Sequence, residues 1–284
     1  MEERIWRFLL SFREEHQLPP LWRRPLIGFA STDHPGFLRL RRAVLPDHAL
    51  PQEILPGCRT AVVCFLPFSL EVIKSNREGR YASPLWVMAY QRSAQVLAPV
   101  GQLIQAIAEE EGFRAVIPTD TGYAAPGLYK SRWSHRHIAF LAGLGTFGKH
   151  NLLITSKGCC GYYTSLVTTL PLAGDPIPAK PACLFYQGKD CGLCIKQCVG
   201  GALTKEGFCR EKCYAMCMKN QPVQQKRGLA LPADACGKCA ICLPCSFASP
   251  HTETLQEGCR EVLGGLFMGG FWFLVLLTSH RPRK

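Results

Sequence analysis

Apolar side chains at Ile5, Phe8, Leu9 and Phe12 recur at helical spacing near the start of the chain. They predict an amphipathic helix over residues 1–20, ended by Pro19 and Pro20. Residues 26–30 read as a short strand. The run AVVCFL at 61–66 has no polar position, which predicts a strand buried on both faces between Gly57 and Pro67. Residues 85–111 keep an apolar face over many turns and predict a long helix stopped by Gly112. A strand at 114–118, a helix at 134–144 ending in Gly145, and strands at 152–155 and 165–169 complete the pattern. Mixed elements of this kind predict an α+β protein whose N-terminal part is an α/β layer domain, residues 1–175.

The proline-rich stretch 171–182 then reads as a linker, after which the composition changes. Eleven of the 16 cysteines fall within 183–250. The first 17 residues carry charges throughout and do not resemble a secretory signal, so a cytoplasmic location and reduced thiols are expected. Clustered cysteines then read as metal ligands or redox groups. Hydrophobic residues at 47% permit a sizeable core. The net charge of +12 favours anionic partners, yet no Lys/Arg run with interleaved aromatics supports nucleic-acid binding.

One cysteine run contains Cys183, Cys191, Cys194 and Cys198; the other contains Cys236, Cys239, Cys242 and Cys245. Soft thiolates hold iron strongly, and a C-x2-C step aims two of them at one centre. The C-x3-C step from Cys194 to Cys198 is the spacing with which two-cluster ferredoxins send one ligand to a neighbouring cluster. Zinc also takes C-x2-C pairs but seldom with a crossover residue. Two [4Fe–4S] clusters are therefore expected in a small ferredoxin-like domain, residues 176–255.

Two segments resemble the epoxyqueuosine reductase family and its iron–sulfur relatives, a likeness covering roughly residues 20–250. One is the cysteine motif, with CVGGAL at 198–203 where the family has C-P-x-G-A-I. The other is WSHRHIAFLAGLGTFGKHNLLITSKG at 133–158, similar to an A-G-L-G-x-x-G-K-N-x-L-L-I block with His150 inserted between Lys149 and Asn151. The resemblance implies that Cys183, Cys191, Cys194 and Cys245 hold one cluster, and Cys198, Cys213, Cys236 and Cys239 the other. Cys209, Cys217 and Cys242 are the rival ligands. It further implies a corrinoid (cobalamin) in the N-terminal domain beside Gly143, Gly145, Gly148, Lys149 and Asn151, and Asp120 of the D-T-G segment as proton donor. An external donor such as a ferredoxin or flavodoxin and a small-molecule or modified-nucleoside substrate are implied as partners. Family members acting on tRNA carry a C-terminal helical repeat, which argues against tRNA here.

Other residues leave their readings open. The G-x-G-x-x-G string at Gly143–Gly148 serves either a structural or a ligand-facing turn, and Lys149 is either a phosphate contact or a surface lysine. His135 and His137 cap a helix or face a substrate. Cys159 and Cys160 are adjacent, so both are not expected to point into one site; Cys58 and Cys64 read as structural. The uncharged run 262–278 is at the short edge of a bilayer span and contains four glycines, so a membrane-associated tail and a core-docking helix both stand. The function expected is an iron–sulfur oxidoreductase. A non-enzymatic ferredoxin-type electron carrier and a zinc-binding nucleic-acid module are the alternatives.

Overall fold

A computed structural model describes residues 1–119 and 127–250. The chain runs α1 (Glu2–Glu15), β1 (Leu26–Ser31), α2 (Gly36–Ala43), α3 (Pro51–Ile54), β2 (Thr60–Pro67), α4 (Leu70–Ser75) and α5 (Pro84–Glu110). It continues with β3 (Ala115–Val116), α6 (His135–Leu141), β4 (Gly145–Phe147), β5 (Leu153–Thr155), β6 (Gly161–Thr168), α7 (Leu193–Lys196) and α8 (Arg210–Lys226).

Four strands form an antiparallel sheet in the order β1-β2-β6-β3, and β4 and β5 form a separate hairpin. The fold is thus mixed α/β with small sheets. All eight residues of β2 are buried, as its unbroken apolar run requires of a central strand covered on both faces. Val62, Cys64 and Leu66 join the core under α1 and α5, whereas Ala61, Val63 and Phe65 join the core under α2 and α6. That alternation is the pleat dividing one apolar strand between two layers.

Ser83 starts α5 by accepting the Trp86 N–H at 3.1 Å, with Pro84 in the first turn. Its buried Trp86, Ala89, Ser93, Val96, Val100, Ile104 and Ala108 follow the helical repeat across the sheet. In α1, Ile5 and Leu9 are fully buried, and Phe8 and Phe12 pack beside them.

The structure departs from the sequence pattern in three places. The strand expected over 114–118 pairs only at Ala115 and Val116, at one edge of the sheet. The helix expected to reach residue 144 ends at Leu141, because the chain must turn into the β4–β5 hairpin. The 171–182 segment is docked: Asp175 accepts the Phe29 N–H through its carboxylate (2.9 Å) and donates its own N–H to the Phe29 carbonyl (2.8 Å).

Buried amides tie the cysteine-rich half to α4 and α5. Asn220 accepts the Ala82 N–H at 2.7 Å, Gln224 donates to the Ala82 carbonyl at 2.7 Å, and Asn76 donates to the Cys236 carbonyl at 2.9 Å. Lys238 Nζ reaches the carbonyls of Asn76 (2.6 Å) and Glu78 (2.7 Å). All four side chains are buried, so each must be paired, and the pairing fixes where Cys236 and Cys239 sit. Among the described residues no helix is long and apolar enough to cross a membrane, and the 262–278 run lies outside them.

Candidate metal centres and the adjoining cavity

Cys183, Cys191, Cys194 and Cys245 line one small pocket with Leu193, Leu243 and Pro244. Cys183 precedes a 3-10 turn over Phe185–Gln187, Cys194 lies on α7, and Cys245 follows the 3-10 turn Lys238–Ala240. Burial pushes the Cys194 thiol up to about 12, and the negative charge that Cys245, Cys183 and Cys191 would carry acts in the same direction. The β4–β5 hairpin tip closes the pocket. There the Lys149 backbone N–H points at Cys183 Sγ (3.4 Å), and His150 Nε2 lies 3.4 Å from Cys245 Sγ.

Cys198, Cys213, Cys236 and Cys239 form a second group. Burial raises the Cys236 and Cys239 thiols, and Cys213 and Cys198 add to both shifts. The Ala202 N–H donates to Cys198 Sγ at 3.2 Å. Cys217, one turn along α8, hydrogen-bonds Cys213 and holds its thiol down at about 7, with Arg136 and Arg210 assisting. Cys217 therefore adjoins this group as a fifth thiol. Cys209 instead donates to the Glu211 carboxylate (3.2 Å), and Cys242 sits at a left-handed turn (φ 51°) packed against the main core. Each cysteine run thus contributes to both groups.

Thiols packed this closely cannot all ionise unless a cation offsets their mutual repulsion. The donor sets suit iron: four soft sulfur atoms in each, apolar surroundings from Leu203, Phe208 and Leu243, and N–H groups directed at sulfur.

The second group opens onto a cavity of about 710 Å³. Its walls are aromatic, including Trp86, Tyr90, Trp133, Tyr162 and Tyr163, and Arg136, Arg210 and Lys130 make it basic. Tyr129 and Tyr214 stack at its edge with centroids 4.4 Å apart. The volume is in the range of organic-ligand sites. Two polar groups stand in its wall. The Tyr163 hydroxyl is buried without a hydrogen-bond partner among the described residues, and burial drives its pKa upward. Ser165 Oγ accepts the Trp133 indole N–H (2.9 Å) and lies 2.7 Å from His135 Nδ1, within hydrogen-bond reach. His135 lines the cavity wall. Desolvation holds His135 at about 4 and His137 at about 3, so both are neutral near pH 7. Neither is set among metal ligands; His137 meets the Ser134 hydroxyl at 2.8 Å.

Asn151 lines this cavity and adopts φ 62°. The three glycines grouped with it lie against protein. A Cβ at Gly143 would come 2.6 Å from the Pro176 carbonyl, one at Gly145 2.1 Å from the Ile154 carbonyl, and one at Gly148 2.6 Å from the His150 ring. Lys149 Nζ donates to the Lys205 carbonyl at 2.6 Å and lies 5.1 Å from the Phe185 ring centre. Asp120 lies outside the described residues. The expectation that Cys159 and Cys160 point apart is corrected: both thiols reach the Ala240 carbonyl, at 3.7 and 3.1 Å. The donor atoms of Cys159, His150 and Cys245 lie within 4.8 Å of one another. The one signal in the chain that pointed to this grouping was the extra residue, His150, in the G-K-N block.

No protein-family profile and no curated protein sequence match the chain. Solved structures do. An epoxyqueuosine reductase from Bacillus subtilis, with its catalytic aspartate loop swung out of the active site, is 16% identical over 86% of this chain and 67% of its own, with a TM-score of 0.53. An epoxyqueuosine reductase bound to an epoxyqueuosine-modified tRNA-Tyr stem loop is 17% identical over 85% of this chain and 66% of its own (TM-score 0.53). A catabolic reductive dehalogenase is 19% identical over 79% of this chain and 30% of its own (TM-score 0.52). The chain therefore has the fold of these reductases. It spans about two thirds of the length of the epoxyqueuosine reductases and under a third of the dehalogenase.

Proposed function

We propose that the chain is an iron–sulfur reductase that holds two [4Fe–4S] clusters and delivers electrons to an acceptor in the aromatic cavity. One observation carries the reading: two groups of four thiols, each mixing the two cysteine runs and the second adding Cys213 from between them, stand beside each other, and the second opens onto a ligand-sized cavity. Residues 176–255 supply the thiols, and residues 1–175 supply most of the cavity wall. The solved structures with this fold are reductases, which agrees with the reading.

Cys183, Cys191, Cys194 and Cys245 hold one cluster; Cys198, Cys213, Cys236 and Cys239 hold the other, with Cys217 the neighbour able to replace Cys213. Leu193, Leu203, Phe208 and Leu243 exclude water from the sulfurs. In the cavity, the tyrosine and tryptophan faces suit a flat conjugated ring such as a corrin, and Arg136 and Arg210 suit anionic groups on it or on the substrate. When bound, these groups supply single-electron transfer and low-valent metal chemistry that no side chain can provide. The groups placed to hold a proton are the His135 imidazole, the Tyr163 hydroxyl and, by family resemblance, Asp120. The charge of +12 suits an acidic carrier such as a ferredoxin or flavodoxin as electron donor, and the substrate is a small molecule or modified nucleoside.

Anaerobically purified protein should be brown and contain about eight irons per chain. Added cob(II)alamin should change its electron paramagnetic resonance signal to the form lacking the lower base. A colourless, zinc-containing protein overturns the iron assignment. An unchanged cobalt signal in an iron-replete protein overturns the corrinoid and leaves a ferredoxin-type carrier.

A further inference from the structure

We propose that His150 tunes the cluster held by Cys183, Cys191, Cys194 and Cys245, by donating an Nε2–H hydrogen bond to the Cys245 sulfur. The inference rests on the cluster assignment above and concerns a residue that the resembling block does not contain.

The proton position follows from the other ring nitrogen. His150 Nδ1 accepts the Leu152 backbone N–H at 3.1 Å, so Nδ1 presents a lone pair. In the neutral ring the proton is then on Nε2, which lies 3.4 Å from Cys245 Sγ. An Nε2 that carries a proton donates and does not ligate. The proximity of His150, Cys159 and Cys245 is therefore that of a hydrogen-bond donor beside a ligand, not of a separate metal site.

The local fold is arranged around this contact. His150 is buried at the tip of the β4–β5 hairpin. Its ring lies over Gly148, where any Cβ would sit 2.6 Å from Cε1 and 3.0 Å from Nδ1. Asn151, at φ 62°, turns the chain back so that the Leu152 N–H meets Nδ1. From the other side, the Cys159 N–H holds the Cys245 carbonyl at 3.0 Å and fixes that sulfur's backbone. The preceding residue, Lys149, directs its backbone N–H at Cys183 Sγ (3.4 Å). One hairpin tip thus directs two N–H groups at two sulfurs of the same set, and of the two the His150 donor is the side chain.

Hydrogen bonds to the sulfurs are among the determinants of cluster potential. A donor lowers the energy of the electron-rich reduced state more than that of the oxidised state, so His150 raises the potential. Its loss is expected to shift the reduction equilibrium on the order of tenfold, about 59 mV for one electron. His150 is a positioning residue: it acts through Cys245.

The test is an anaerobic potentiometric titration of the holoprotein followed by electron paramagnetic resonance. His150→Leu should lower the midpoint of one cluster and leave the other in place. His150→Gln, which retains an N–H donor at similar reach, should restore it. Unmoved midpoints in an iron-replete His150→Leu protein overturn the inference. Should that variant lose iron, the wild-type protein decides: selective 15N-histidine labelling should give a weak nitrogen hyperfine coupling to one reduced cluster. A strong coupling makes His150 a ligand, and no coupling removes it from the site; either result overturns the proposal. Wild-type protein without cubane clusters refutes the cluster reading itself, a result separable from all of these.

Discussion

Gly158 packs against the backbone of Ser246 and Phe247, the residues that follow Cys245. It adopts φ 82°, and a Cβ there would lie 2.3 Å from the Ser246 carbonyl oxygen and 2.6 Å from the Phe247 carbonyl carbon. Both atoms are backbone, so no rotamer change relieves the overlap. Gly158→Ala should carry two penalties. The left-handed conformation costs an L-residue about 1 kcal/mol. Forcing the 245–247 segment away adds about 1–3 kcal/mol, as for overpacked interiors. Gly112, which follows α5 at φ 81° and where a Cβ would meet nothing within 4 Å among the described residues, is the internal control for the first penalty. Gly112→Ala should therefore lose about 1 kcal/mol, and Gly158→Ala about 2–4 kcal/mol. Because the moved segment carries Cys245, Gly158→Ala should also lose iron, whereas Gly112→Ala should keep it. Urea unfolding monitored by circular dichroism, with iron analysis of the anaerobically prepared proteins, measures both. Equal destabilisation of the two variants, with full iron in each, would refute the reasoning.

Cys194→Ser and Cys245→Ser should each remove roughly half of the iron, and Cys209→Ser none, since the Cys209 thiol is engaged with Glu211 away from both groups. Iron and sulfide analysis decides it, and equal losses at all three positions would contradict the grouping. Tyr163→Phe should stabilise the ligand-free protein by about 1 kcal/mol, because it removes a buried hydroxyl without a partner; a loss of stability in urea would show that the hydroxyl is already satisfied. His135 has a pKa near 4 in the fold against an ordinary 6.5. The unfolded chain thus binds more protons between those values, and the His135 contribution, complete above about pH 6.5, is lost as pH falls towards 4. Between pH 7.5 and 5.5 that loss amounts to about 1 kcal/mol. His135→Gln should flatten the stability profile by this amount, and parallel profiles for variant and wild type would rule the assignment out.

The local elements were readable in the chain because each rests on neighbours in sequence. The eight-residue buried strand β2 follows from an apolar run with no polar position, and α5 from its helical spacing and Ser83–Pro84 start. The C-x2-C and C-x3-C steps mark candidate thiol ligands for the same reason. Shorter elements were not readable. α8 has almost no apolar face, since its buried Asn220 and Gln224 are polar and matter only through partners at Ala82, well over a hundred residues away. The edge strand β3 keeps two paired residues because only β6 flanks it.

The composition of the site belongs to tertiary structure. Spacing marks the cysteines as candidate metal ligands, but which thiols meet depends on how distant segments approach. Cys245 joins Cys183 because the hairpin tip and the 158–160 segment hold it there. Spacing is equally silent on empty space: a 710 Å³ cavity arises where walls from α5, α6, β6 and α8 fail to fill one another. His150 joins these observations. In the sequence it is one extra residue in a glycine-rich block; in the fold its Nδ1 is occupied by a backbone amide, which turns its Nε2 proton towards a sulfur 95 positions away.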